Sequence, residues 1–319
     1  MTNNRHTQLD WVSKNKFYRK SDKFKRNIVN KKYLFLLTTA LSILHAHDYH
    51  NINENIMLKS SFIYNNFENS KQKNSGKVYK ILVNYKINNH KIEIQNSYSD
   101  VDTIKPPLKE DLEINKTFLR YSYDFSKENS INVSYIHIVD NIAPTDGGNI
   151  YGIGYIYRKN NFQVALNQYR SEYDDFSVDQ SDINLQYHKK IGKIKTDINV
   201  IVKHISLNDY SDKIFNKKAS TIPDDEYLTT GIKLHASYSG YHIGIGGFFG
   251  NRLFAVMGNG SKVQHHAMRF NKTYFTSIGK KFDKYNVILK YTYQEADELP
   301  QNNLGVEMDS FSLNVNYKF

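Results

Sequence analysis

The sequence predicts an all-β fold, a transmembrane antiparallel up-and-down β-barrel of about fourteen strands, with twelve to eighteen as the range. Three observations predict it. The chain of 319 residues is only 39% hydrophobic yet 14% aromatic, with 25 Tyr and 18 Phe. That is too aromatic for a disordered chain, and no run of roughly 20 apolar residues offers a transmembrane helix. From residue 47 onward apolar and polar residues alternate with period two, the signature of strands with one apolar face. The connections between these segments alternate between short and long, as they do when tight turns lie on one side of a membrane and loops on the other.

The formal charge of +11 sits mostly in one place. Residues 1–46 carry ten Lys/Arg against Asp10 and Asp22, which leaves 33 basic and 30 acidic residues for the rest. No basic stripe remains there, so nucleic acid is not an expected partner. Residues 31–46 read as a signal peptide: Lys31 and Lys32 precede the apolar run Tyr33–Leu44, with cleavage expected after Ala46. Residues 1–30 read as a disordered or artefactual extension, with translation expected to start near Val29. Residues 47–319 read as one barrel domain.

The candidate strands are, in order, 55–65, 78–88, 91–99, 116–125, 130–139, 150–158, 162–171, 182–189, 193–204, 228–238, 241–249, 272–281, 285–294 and 310–319. The second shows the pattern clearly: Tyr79, Ile81, Val83, Tyr85 and Ile87 alternate with Lys80, Leu82, Asn84 and Lys86. Connections after even strands are brief, as at Asn88-Asn89 and Ser239-Gly240. Those after odd strands are longer and polar, and all five Pro fall in them.

In such a barrel the apolar set, including Tyr79, Ile81, Leu119, Ile153, Leu234, Ile243 and Leu289, faces lipid. The abundant Tyr suits interfacial girdles. The opposite set faces the lumen, and Lys80, Lys86, Lys116, Arg120, Arg158, Lys195, Lys203, Lys233, His235 and Lys290 are the expected pore-lining residues. Counting Lys91 and Lys193 as well, mid-strand cations outnumber Glu93, Asp124, Asp182 and Asp197, which implies a modest anion preference. The segment from Asn251 to Asn271 is unusually apolar for an external loop and is expected to fold into the barrel mouth. Arg252, Phe254, Met257 and Arg269 are its constriction candidates.

The last ten residues, Ser310 to Phe319, place apolar side chains at every odd position and end on an aromatic. Tyr317 and Phe319 look like the signal that outer-membrane proteins present to the barrel-assembly machinery. The chain resembles the OprD-like (Opr) outer-membrane porins, most specifically in Phe254-Ala255-Val256-Met257-Gly258-Asn259-Gly260, Val263-Gln264-His265-His266-Ala267-Met268 and Tyr291-Thr292-Tyr293-Gln294-Glu295-Ala296. The resemblance implies passive diffusion of small hydrophilic solutes through an outer-membrane pore surrounded by lipid and lipopolysaccharide. It leaves a homo-oligomer open, and larger members of the family use more strands than this chain supplies.

Chemistry of other kinds finds little footing. The chain has no Cys, no Gly-x-Ser-x-Gly elbow and no His-Glu-x-x-His helix. His265 and His266 are loop neighbours whose side chains need not converge, and His45, His47 and His50 straddle the cleavage site. No catalytic residue, metal or cofactor is expected. A barrel enzyme or receptor, or a secreted soluble β-protein, are the alternative readings.

Overall fold

The computed structural model describes residues 54–106, 108–142, 144–209, 224–264 and 267–319. The extension at 1–30, the signal peptide at 31–46, His45, His47, His50, His265 and His266 lie outside the described residues. Among the described residues there are sixteen strands: β1 (Glu54–Glu68), β2 (Lys73–Ile87), β3 (His90–Thr103), β4 (Leu112–Asp124), β5 (Asn129–Asp140), β6 (Asn149–Lys159), β7 (Phe162–Glu172), β8 (Ser177–Ile191), β9 (Ile194–Asn208), β10 (Glu226–Tyr238), β11 (Tyr241–Arg252), β12 (Val256–Met257), β13 (Lys262–Val263), β14 (Met268–Lys281), β15 (Tyr285–Glu298) and β16 (Asn303–Lys318). Fourteen of them form one closed barrel in which each pairs antiparallel with its neighbours in sequence; β12 and β13 pair only with each other.

Closure comes from β1 and β16, paired from Met57 opposite Lys318 to Glu68 opposite Glu307. The Phe319 amide adds a bond to the Ile56 carbonyl at 3.1 Å. At the other end of this seam stands Glu298, fully buried. Its carboxylate accepts hydrogen bonds from Ser70 Oγ at 2.5 Å, the Lys71 amide at 2.9 Å and Asn303 Nδ2 at 3.0 Å. It therefore clasps the connection between β1 and β2 to the last hairpin.

The strands run further than alternation alone indicates. The connections expected to be long after the first, seventh and thirteenth wall strands shrink to residues 69–72, 173–176 and 299–302. Polar stretches beyond the apolar band stay in the ladder because pairing still satisfies their backbone groups. Longer connections remain at 104–111, 141–148, 209–225 and 253–267. At the opposite end the turns hold two to four residues, as at 88–89, 125–128 and 239–240.

The outer surface is apolar. Ile153, Ile278, Ile243 and Leu289 are 56–62% exposed, an arrangement that water disfavours and hydrocarbon accepts. Aromatic pairs flank this band. Near the short turns Phe162 meets Tyr187 at 4.7 Å and Tyr285 meets Tyr317 at 4.8 Å, with Phe319 edge-on to Tyr317. Toward the long loops Tyr135 meets Tyr151, Phe249 meets Tyr274 and Tyr291 meets Phe311 at 5.1–5.6 Å. Such rings place an apolar body in lipid and a hydroxyl at its polar boundary. Among the described residues no helix is long and apolar enough to cross a membrane.

A cation placed on the outer band tests this assignment. Ile153→Lys should cost about 2–4 kcal/mol of folding stability in lipid vesicles. The inward Ser122→Lys should change it by no more than about 0.5 kcal/mol. Urea titration followed by heat-dependent gel migration reads both.

Candidate functional site

The inner wall is not uniformly polar. Near the short turns its inward side chains include Asn132, Gln163, Asn167, Gln186 and Asn199. Toward the long loops they are Leu112, Ile114, Phe118, Ile136, Ile138 and Ile205, all buried. Apolar side chains pointing into a barrel need a cover, and the chain supplies one from between β11 and β14.

That cover is the segment carrying β12 and β13. The ladder between β11 and β14 slips between Phe249 and Arg252, and Gly250 there adopts φ 92°. Beyond the slip Leu253, Phe254 and Ala255 are completely buried. Phe254 packs on Phe176 at 4.7 Å and Tyr173 at 5.9 Å between ring centres. Val256 pairs with Val263 in a two-rung hairpin, each 1% exposed. The tip, Gly258-Asn259-Gly260, has φ of 59°, 54° and 90°, values that Gly and Asn adopt readily. A Cβ on Gly260 would crowd Tyr169 and Ser134 at 3.2–3.3 Å, so the tip also needs the missing side chain in order to seat.

Wall side chains satisfy the hairpin's backbone. Gln180 brackets Val256, donating from Nε2 to its carbonyl and accepting its amide at Oε1, both at 2.8 Å. Lys203 Nζ donates to the same carbonyl at 3.0 Å and is ion-paired with Asp182. Arg120 Nη1 donates to the Asn259 carbonyl at 2.6 Å, and Gln95 Nε2 to that of Ser261 at 3.0 Å.

Nine of the ten cations expected to line the lumen fall into three groups, and Lys195 stands apart from them. Arg120 and Lys203 hold the hairpin, and their charges are matched by Glu93 and Asp182. Lys86 and Arg158 flank Asp124 at 3.6 and 3.8 Å, while His235 joins His188 on Asp197, with its Nδ1 3.1 Å from the carboxylate. Lys80, Lys116 and Lys290 form the third group, around Lys262 of β13, with Lys233 beside Lys290. The charges of Lys80, Lys116 and Lys290 all lie close enough to that of Lys262 to feel it. Desolvation inside the barrel, and then the Arg252 charge, hold the Lys262 ammonium below the ordinary lysine range. Among the described residues no carboxylate lies within ion-pair distance of Lys80, Lys233, Lys262 or Lys290. Lys195 is exposed beside the turn after β8, opposite Lys190, and Lys193 belongs to that turn rather than to a strand.

The four constriction candidates part company. Phe254 is the hairpin's buried anchor, and Met257, half-buried, sits in β12. Arg252 is 1% exposed, with its guanidinium over the Phe248 and Phe270 rings at 5.6 and 5.3 Å and hydrogen-bonded to Thr273. Its Nε and Nη1 meet no partner among the described residues. Arg269 does not join them; it is tied to Asp297 at 3.0 Å and reaches Asp224 at 3.9 Å.

Beneath the hairpin tip a cavity of about 570 Å³ opens toward the short turns, lined by Asn259 above and by Asn84, Asn132, Asn167 and Asn184 among the wall residues. Strand alternation in the sequence puts Asn132, Asn167 and Asn184 on the inward face, but it shows nothing of their convergence and singles out neither Gln180 nor Gln95. Their spacing in a strand is that of any lumen residue. The available signal was indirect: inward positions such as Ile136, Ile138 and Ile205 are apolar on the face that a water-filled barrel keeps polar.

Removing the Gln180 bracket should loosen the hairpin without opening the wall. In Gln180→Leu the two buried hydrogen bonds to Val256 vanish, together with the one that Gln180 Nε2 donates to Asp182 at 2.7 Å, each worth about 1 kcal/mol. Amide exchange in residues 253–264 should accelerate severalfold while the β1–β16 seam keeps its protection, as read by hydrogen-exchange mass spectrometry.

No family model matches the chain, and no curated protein matches it. The solved structures to which it is similar include three from Pseudomonas aeruginosa. OccK8 (OprE) is 13% identical, with 84% of this chain and 98% of that chain covered and a TM-score of 0.42. The outer membrane protein OpdK is 10% identical over 84% of this chain and 98% of its own, at a TM-score of 0.41. OccK2 (OpdF) in complex with glucuronate is 11% identical over 85% of this chain and 99% of its own, also at 0.41.

Proposed function

We propose that this chain is an outer-membrane porin: a water-filled channel for passive diffusion of small hydrophilic solutes, with a modest preference for anions. The observation that carries the reading is the charge distribution inside a closed, externally apolar barrel. Among the described residues Lys80, Lys233 and Lys290, and Lys262 of the hairpin itself, have no carboxylate within ion-pair distance, while Glu93 and Asp182 are spent on cations that hold the hairpin in place. Mobile anions are the natural counter-charge for such a tier, because a cation there faces repulsion from several sides.

Other parts of the reading follow from the outer surface. The apolar band and its aromatic borders suit outer-membrane lipid and lipopolysaccharide. Tyr317 and Phe319, on the outer face of the closing strand, support reading that strand as the one the barrel-assembly machinery recognises.

Planar-bilayer recording in a salt gradient tests the proposal. The reversal potential should show anion preference, and Lys262→Glu should weaken or reverse it; clear cation preference in the unaltered chain overturns the assignment. Deleting residues 255–263 should raise single-channel conductance, because the hairpin fills part of the bore. Unchanged conductance would mean that it does not constrict the path.

A further inference from the structure

We infer that the cavity beneath the hairpin is a binding subsite for uncharged polyhydroxylated solutes, saccharides being the chemical class. The inference rests on the channel reading above and specifies what lingers in that channel. It begins from which polar groups around the cavity are already occupied. Asp124 stands between Lys86 and Arg158, at 3.6 and 3.8 Å. Glu93 is shared by Lys91 at 3.2 Å and Arg120, and Arg120 also donates to Asn259. Arg158 further engages Ser130 and Gln163. The charged side chains that line the cavity are thus largely engaged with one another.

Three of the carboxamides are not, whereas Asn84 Nδ2 donates to Glu93 at 3.3 Å. Among the described residues no hydrogen bond engages the side chain of Asn132 or Asn167, and none meets Asn184 Oδ1. Asn132 on β5 and Asn167 on β7 lie in register with Gly154 on the intervening β6. A Cβ at Gly154 would overlap Asn167 Oδ1 and lie 2.5 Å from Asn132 Nδ2, so the glycine lets the two amides close over the strand between them. Asn184 of β8 stands opposite Ala165, further toward the turns.

Each amide offers a donor pair and an acceptor. A vicinal diol also donates and accepts, so the two can be satisfied together, whereas a carboxylate only accepts and would leave the amide oxygens facing it. Ile156, Ala165, Ile56 and Met57 supply apolar wall for the C–H face of a sugar ring. The volume of about 570 Å³ lies within the range of small-molecule sites and exceeds what one pyranose ring fills.

Equilibrium dialysis of the refolded full chain against radiolabelled maltose, in a detergent without a sugar headgroup, tests the inference apart from conduction. Saturable binding is expected. The Asn132→Ala/Asn167→Ala double variant should weaken it about tenfold or more, the loss expected when one or two net hydrogen bonds disappear. Gly154→Ala should weaken it by pushing the two amides apart, and Asn167→Ser is a milder change expected to weaken it severalfold. Heat-dependent gel migration identifies the variants that have formed the barrel. Absence of saturable binding to the unaltered chain, affinity unchanged in the folded variants, or gluconate bound more tightly than maltose would each overturn the subsite. Conductance in planar bilayers is recorded separately: a conducting chain that binds no maltose sinks the subsite alone, and a chain that binds maltose but does not conduct sinks the channel.

Discussion

In hydrocarbon a backbone amide or carbonyl without a partner costs several kcal/mol, and the chain must meet that demand from within. The pairing of β1 with β16 is where the demand is finally met. An open sheet of the same strands would leave two edges unpaired in lipid. Closure then dictates the rest: strands that alternate, an outside that is apolar, and an inside free to carry charge. Lysines such as Lys80 and Lys290 are tolerable because their neighbours along the strand, Tyr79 and Leu289, take the lipid face.

The same demand recurs inside. A hairpin laid across the lumen brings its own backbone groups, and its ladder provides for few of them. Gln180, Gln95, Arg120 and Lys203 provide for others, and each comes from a different wall strand. Two of these are cations, which would be costly to desolvate alone; Glu93 and Asp182 offset that cost. The lumen therefore sorts its charges. Some are structural and locked to carboxylates, whereas Lys80, Lys233, Lys262 and Lys290 have no carboxylate within ion-pair distance among the described residues.

Strand number and closure were legible in the sequence because period two is enforced at every wall strand, even where a single strand such as β6 is short. Loop lengths were less legible. Segments like 303–309 read as loop because their polar residues break the alternation, yet they remain paired above the apolar band. An apolar segment after β11 was visible, but its seat was not. Phe254 meets Phe176 and Tyr173 only once β7 and β8 stand across the barrel from β11. Whether a lumen lysine is matched was equally hidden. Lys203 and Lys233 both point inward from neighbouring strands, and it is the placement of Asp182 directly opposite Lys203 on β8 that matches one and not the other. The register of Asn132, Gly154 and Asn167 is likewise a property of three strands aligned, not of any one of them.

Glu298 gives the seam an additional property. Its donors Ser70 and Lys71 lie more than two hundred residues earlier in the chain, on the far side of the closing pair. Until the first and last hairpins meet, this carboxylate lacks two of its partners and keeps its hydration; once they meet, it is enclosed and fully occupied. An unfinished wall thus bears a penalty at one residue that a finished wall does not. The ring carries its own checkpoint, biasing assembly toward completion at the far rim as well as at the terminal aromatic.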